Sequence, residues 1–98
     1  RKYRLKPGKR AEFVFFFEEK VAPAMEAAGM KILGSFESVE DEDVFVYLRQ
    51  FSDLEERERL TAAFYSSEAW LSELKEKALA LESEYEVELV RSTPRSAM

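Results

Sequence analysis

The segment Val44-Phe45-Val46-Tyr47-Leu48-Arg49-Gln50-Phe51 narrows the possible folds more than any other part of this chain. Its β-branched and aromatic residues read as a strand. Side chains on a strand alternate between two faces, so Val44, Val46 and Leu48 share one face and Phe45, Tyr47 and Phe51 the other. Neither face is polar, and a strand of this kind is covered on both sides. The chain has 98 residues, enough for one core but not for two independently cored domains. Cover on the second side therefore has to be explained.

The flanking sequence supplies cover on one side. Arg1–Leu5 alternates as a short strand and ends at Lys6-Pro7-Gly8-Lys9. From about Lys9 to Ala28 the flanks of the Phe13-Val14-Phe15-Phe16-Phe17 run are helical, and Phe13, Phe17, Val21, Ala24 and Ala28 recur at helical spacing. Pro23 is expected to kink or break this helix near Ala22, with Gly29 capping its end. Met30–Val39 alternates as a strand, Glu40-Asp41-Glu42-Asp43 is a polar turn, and Val44–Phe51 completes a hairpin. Ser52-Asp53-Leu54-Glu55 has capping-box form with Ser52 as the N-cap. The second helical segment is interrupted around Ser66-Ser67, then carries a stripe of Leu71, Leu74, Ala78 and Leu81 beside Trp70. Tyr85–Ser92 reads as the last strand and Thr93–Met98 as a tail, leaving one domain over residues 1–92.

The order β-α-β-β-α-β, with right-handed crossovers, predicts an α+β, ferredoxin-like four-stranded antiparallel sheet with both helices on one face. The set Tyr3, Leu5, Ile32, Phe36, Val44, Val46, Leu48, Val87 and Leu89 is expected beneath the helices. The other face would then carry Leu33, Val39, Phe45, Tyr47, Phe51 and Val90 among charged residues. Too little chain remains to cover those residues, so pairing with a second copy is expected, through Leu33, Phe45, Tyr47, Phe51 and Val90. Shielding by long charged side chains and the tail is the other way to cover them.

Composition excludes several chemistries. The chain contains no His and no Cys, which removes Ser-His-Asp and Cys-His nucleophile systems, zinc fingers and thiolate-held clusters. Fifteen Lys and Arg against 20 Asp and Glu give a net charge of −5, which disfavours nucleic acid as a partner. The longest apolar run, Phe13–Phe17, falls far short of the about 20 residues of a membrane span. The expected compartment is the cytoplasm. Because the chain starts at Arg1 rather than Met, a preceding targeting segment stays open.

Five further features, taken in order, resemble the NIPSNAP family of the dimeric α+β-barrel superfamily. They are Tyr3 followed by Leu5-Lys6-Pro7-Gly8-Lys9, the Phe-rich helix with Pro23 before Gly29, and Gly34-Ser35-Phe36. The run Tyr47-Leu48-Arg49-Gln50-Phe51-Ser52-Asp53-Leu54-Glu55-Glu56-Arg57 and Glu68-Ala69-Trp70 complete the set. The resemblance implies a βαββαβ protomer, pairing of two sheets into a dimeric barrel, and mostly unassigned biochemistry. Some superfamily members bind haem and others are cofactor-free monooxygenases. Those that ligate haem commonly use a His, absent here, so no cofactor and no metal are expected.

Four candidate sites follow from the residues. A pocket lined by Tyr3, Phe45, Tyr47, Arg49 and Trp70 would suit a small aromatic or acidic ligand, with Arg49 pairing a carboxylate or phenolate. In the enzyme version a cofactor-free monooxygenase or isomerase acts there on a small aromatic substrate. No group titrates near pH 7 unless a buried Glu, such as Glu37 or Glu88, is shifted. The same residues also fit plain packing, with Trp70 in the core and Arg49 paired to Glu37 or Glu88. The acidic group Glu37, Glu40, Asp41, Glu42 and Asp43 lacks the glycine turn of a calcium loop and reads as a solvated hairpin. The basic stretch from Arg1 to Arg10 reads as outward strand positions, and Phe15 as an exposed ring.

Overall fold

The computed structural model describes residues 1–96. β1 (Lys2–Leu5) leads into α1 (Arg10–Phe16), a π-helical turn over Phe17–Val21, and α2 (Ala22–Ala27). β2 (Lys31–Glu37) and β3 (Val44–Gln50) form the hairpin, followed by α3 (Leu54–Tyr65). A second π-helical stretch, Ala69–Leu74, runs into α4 (Lys75–Leu81) and then β4 (Glu82–Glu86). The sheet is antiparallel in the order β2-β3-β1-β4. This is the α+β, ferredoxin-like arrangement the element order predicts.

Pro23 does not break the first helix. It sits in the opening turn of α2, directly after the π-helical residues. Proline has no N–H to donate and its ring crowds the carbonyl four residues back, and the wider π turn relieves both problems within a continuous helix. Gly29 ends it at φ 97°, a conformation unfavourable for any residue with a Cβ. The cap of α3 lies one residue later than expected. The Asp53 carboxylate, not Ser52, accepts from the Glu56 N–H at 2.7 Å. Glu56 reaches back to accept from the Ser52 N–H at 3.1 Å and from the Ser52 hydroxyl. Both Ser52…Glu55 and Asp53…Glu56 fit the capping-box spacing; the second supplies the N-cap bond, while Glu56 returns its own bond to Ser52, one residue before the cap.

The assignment of sheet faces corrects the sequence expectation. Tyr3 pairs with Phe45 and Ser35 with Tyr47, and opposed residues in a ladder share a face. Tyr3 and Leu5 lie under the helices as expected, and Phe45 and Tyr47, each 1% exposed, lie there with them. Val44, Val46 and Leu48 therefore point to the helix-free side, as do Gly34 and Phe36. The larger rings take the covered side because they meet the helical phenylalanines. Phe45 packs edge-on to Phe13 and Phe17 at 5.3 and 5.1 Å, and Phe17 meets Tyr47 at 4.6 Å.

β4 is also displaced from Tyr85–Ser92 to Glu82–Glu86. Its ladder partner β1 has only four residues, and Lys2 already faces Glu86. Val87, Leu89 and Val90 lie past the ladder and are exposed rather than under the helices. Val39 is exposed in the hairpin turn, and Leu71 on its helix. Residues 91–96 carry one turn and no strand, and Ala97 and Met98 of the expected tail lie outside the described residues.

Candidate functional site

Two features of the fold are candidates for function: a cleft between helices and sheet, and the helix-free sheet face. The cleft is lined by Tyr3 and Tyr47 from the sheet, Phe13 and Phe17 from the first helix, Tyr65 and Trp70 from the second, and Glu82. Tyr3 and Tyr47 stack at 5.9 Å with planes 4° apart, while Tyr65 and Trp70 meet edge-on at 5.0 Å. The cavity volume is about 10 Å³, room for about one water molecule. Burial pushes the phenols of Tyr3 and Tyr47 up from their ordinary range.

Of the expected pocket residues, Tyr3, Tyr47 and Trp70 line this cleft. Phe45 is buried in the neighbouring core, and Arg49 stands outside the cavity. The Arg49 guanidinium lies 5.7 Å from the Tyr47 ring centre and 5.8 Å from that of Phe51. Its Nη1 is 3.8 Å from the Met30 sulfur and 3.5 Å from the Tyr65 hydroxyl. It forms no ion pair with Glu37 or Glu88, and Glu37 faces Arg10 instead, at 3.6 Å.

Sequence reasoning missed three members of the site: Arg1, Tyr65 and Glu82. Arg1 lies over the Tyr65 and Tyr85 rings at 5.4 and 5.2 Å, with Nη1 3.4 Å from the Tyr3 hydroxyl. Glu82 opposes Leu5 in the β1–β4 ladder and so faces the core side. Burial pushes its carboxyl up to about 7, against the opposing pull of Arg1. The carboxyl that burial raises toward neutrality is thus that of Glu82. The usable signal was its place directly after Leu81, where helix turns to strand.

The acidic hairpin is a structural turn. Arg10 Nη1 donates to the carbonyls of Ser38, Asp41 and Val44 at 2.8, 3.0 and 3.2 Å, tying the start of α1 to it. Asp41 pairs with Arg4 at 2.9 Å. The Asp43 N–H and the Arg4 guanidinium hold its carboxyl below the usual range. Among the described residues no acidic group is arranged to hold a metal ion, and no helix is long and apolar enough to cross a membrane.

The helix-free face has two halves. Toward β2, Phe36 is 53% exposed with its ring laid over Gly34, and Val46 and Leu48 are half-buried beside it. Toward β4, Lys2, Arg4, Val44, Glu84 and Glu86 edge a groove of about 350 Å³. Its charges are matched, Lys2 to Glu86 at 3.9 Å and Arg4 to Glu84 at 3.7 Å. Phe45 and Tyr47 cannot contribute to pairing through this face, because the helices cover them. Phe51 packs on the core, and Leu33 is the unpaired bulge residue between Ile32 and Gly34. Val90, 81% exposed, lies beyond the sheet.

A family model described as NIPSNAP matches residues 1–97. Among solved structures, a protein from Agrobacterium tumefaciens is 22% identical, with a TM-score of 0.90 over 99% of this chain and 93% of that one. An uncharacterised NIPSNAP-like domain protein from Burkholderia xenovorans is 20% identical, with a TM-score of 0.89 over 99% of this chain and 84% of that one. A structure from A. tumefaciens described as a NIPSNAP family protein with unknown function is 24% identical, with a TM-score of 0.80 over 95% and 86%. No curated protein matches the sequence.

Proposed function

The chain belongs to the NIPSNAP family, and on that premise we propose that it is a small binding and assembly domain that works as a homodimer, paired through its helix-free sheet faces. The observation that carries this is the apolar half of that face, where Phe36 is 53% exposed and Val46 and Leu48 are only half-buried beside it. A second copy suits the face because its other half is already neutralised by Lys2–Glu86 and Arg4–Glu84, so a two-fold contact brings no net like charge together. The body, 37 × 35 × 20 Å across its Cα atoms, has broad faces large enough for the roughly 800 Å² per partner of a standard interface. Sedimentation equilibrium at micromolar concentration tests the pairing: dimers are expected, and monomers alone would end the proposal.

Glu82 favours a second reading, in which a small aromatic substrate sits at the mouth of the cleft, whose interior has room for about one water, and a cofactor-free monooxygenase or isomerase acts on it there. Its carboxyl, pushed up to about 7, is a proton acceptor suited to neutral pH beside Tyr47 and Trp70. Arg49 would orient the substrate anion from outside the cavity. Oxygen uptake or isomerisation with small phenolic acids, lost in Glu82→Gln, is the expected result. Turnover unchanged by that substitution would remove the reading.

A further inference from the structure

Four arginines are half-buried among the described residues: Arg1, Arg10, Arg49 and Arg57. Arg10 faces the carboxylate of Glu37, and Arg57 that of Glu58. Arg1 and Arg49 form no ion pair and contact rings, two hydroxyls and a sulfur; Arg1 acts on the Glu82 carboxyl only at longer range, and burial holds that carboxyl protonated up to about 7. Removing a guanidinium from water without an anion is costly, and this chain carries an excess of acids from which partners could have come. Both unpaired cations also converge on one residue. Arg1 lies over the ring of Tyr65, and Arg49 reaches its hydroxyl. In addition, Arg1 Nε is buried with no hydrogen-bond partner, an orphaned donor in a fork that matches a carboxylate.

We propose that Arg1 and Arg49, gathered around Tyr65, form an anion site for a small planar carboxylic acid. The carboxylate accepts hydrogen bonds from the guanidinium groups, and the flat body lies against Phe51 and Tyr85, the accessible rings among those that now hold the cations. The class of ligand follows from the surroundings. Two guanidinium groups select a carboxylate, and aromatic faces on either side select an unsaturated body over a saturated one. The cavity behind has room for about one water, so the ligand's ring stays at the mouth. This inference rests on the ligand-binding part of the proposed function and not on the pairing of sheets.

The test uses Trp70, the only tryptophan, whose ring packs against Tyr65. Its fluorescence is followed while the full chain is titrated with benzoate, with benzyl alcohol as the neutral isostere and acetate as the anion without a ring. Saturable binding of benzoate is expected, with both controls weaker by about tenfold or more, the loss of roughly one charge-assisted hydrogen bond or one stacked ring. Arg49→Gln and Arg1→Gln should each weaken benzoate by about tenfold, while Arg49→Lys recovers part of it. Circular dichroism confirms that each variant is folded. Benzoate binding no tighter than benzyl alcohol, no saturation by about 10 mM, or full affinity in Arg49→Gln would each overturn the site. Neither arginine lies on the helix-free face, so the variants keep the native mass in solution. Failure of the anion site is thereby separable from failure of the dimer.

Discussion

Glu82 places an ionisable carboxyl opposite Leu5, on the side of the sheet that faces the core. Folded, the carboxyl titrates at about 7, against an ordinary value of 4.5, because burial opposes its charge. The folded state therefore holds this proton more tightly than the unfolded state. Stability from this group is fully present below about 4.5 and is lost as pH rises to about 7. Glu82→Gln should raise stability at pH 8 by roughly 1–2 kcal/mol, after discounting for solvent at this half-exposed side chain, and change little at pH 4. Urea denaturation at the two pH values reads the difference, and equal effects at both would contradict the assignment. Glu82 was not legible in the sequence, because Tyr85, Val87 and Leu89 alternate so cleanly that they place the strand three residues too late. What sets the true start is the short reach of β1. Tyr3 was expected beneath the helices and Trp70 beside the apolar helix stripe, whereas the expected face of Tyr47 was the opposite one.

At the scale of elements, the pattern of β3 states that both faces are apolar but not which one the helices cover. Val44, Val46 and Leu48 satisfy a covered face as well as Phe45 and Tyr47 do. The choice is made by cross-strand register with Tyr3 and by the edge-on contacts of Phe13 and Phe17, both of which are long-range. Local alternation carries neither. Helix ends are similar on a smaller scale, because two overlapping capping boxes compete at Ser52 and Asp53. With Asp53 as the formed cap, Asp53→Ala should cost about 1 kcal/mol, lowering the melting temperature by about 4–8 °C at fixed protein concentration. Ser52→Ala should cost less, since the backbone N–H of Ser52 still donates to Glu56. The reverse ranking in thermal denaturation would restore Ser52 as the cap.

For the whole molecule, the helix-free sheet face keeps an apolar patch although the residues on it are exchanged. The apolar patch consists of Phe36, Val46 and Leu48 rather than Phe45 and Tyr47, and it lies beside matched charges. Leu48→Glu adds a charge to the patch without touching the core cluster. It should leave the circular dichroism spectrum native and convert the protein to monomer, because two such charges would meet across a two-fold contact. A folded Leu48→Glu variant that still dimerises would move the interface elsewhere. The most direct test is sedimentation equilibrium of the unaltered chain at micromolar concentration. A mass twice the 11.4 kDa of one chain is expected; a single species at the mass of one chain would overturn the pairing.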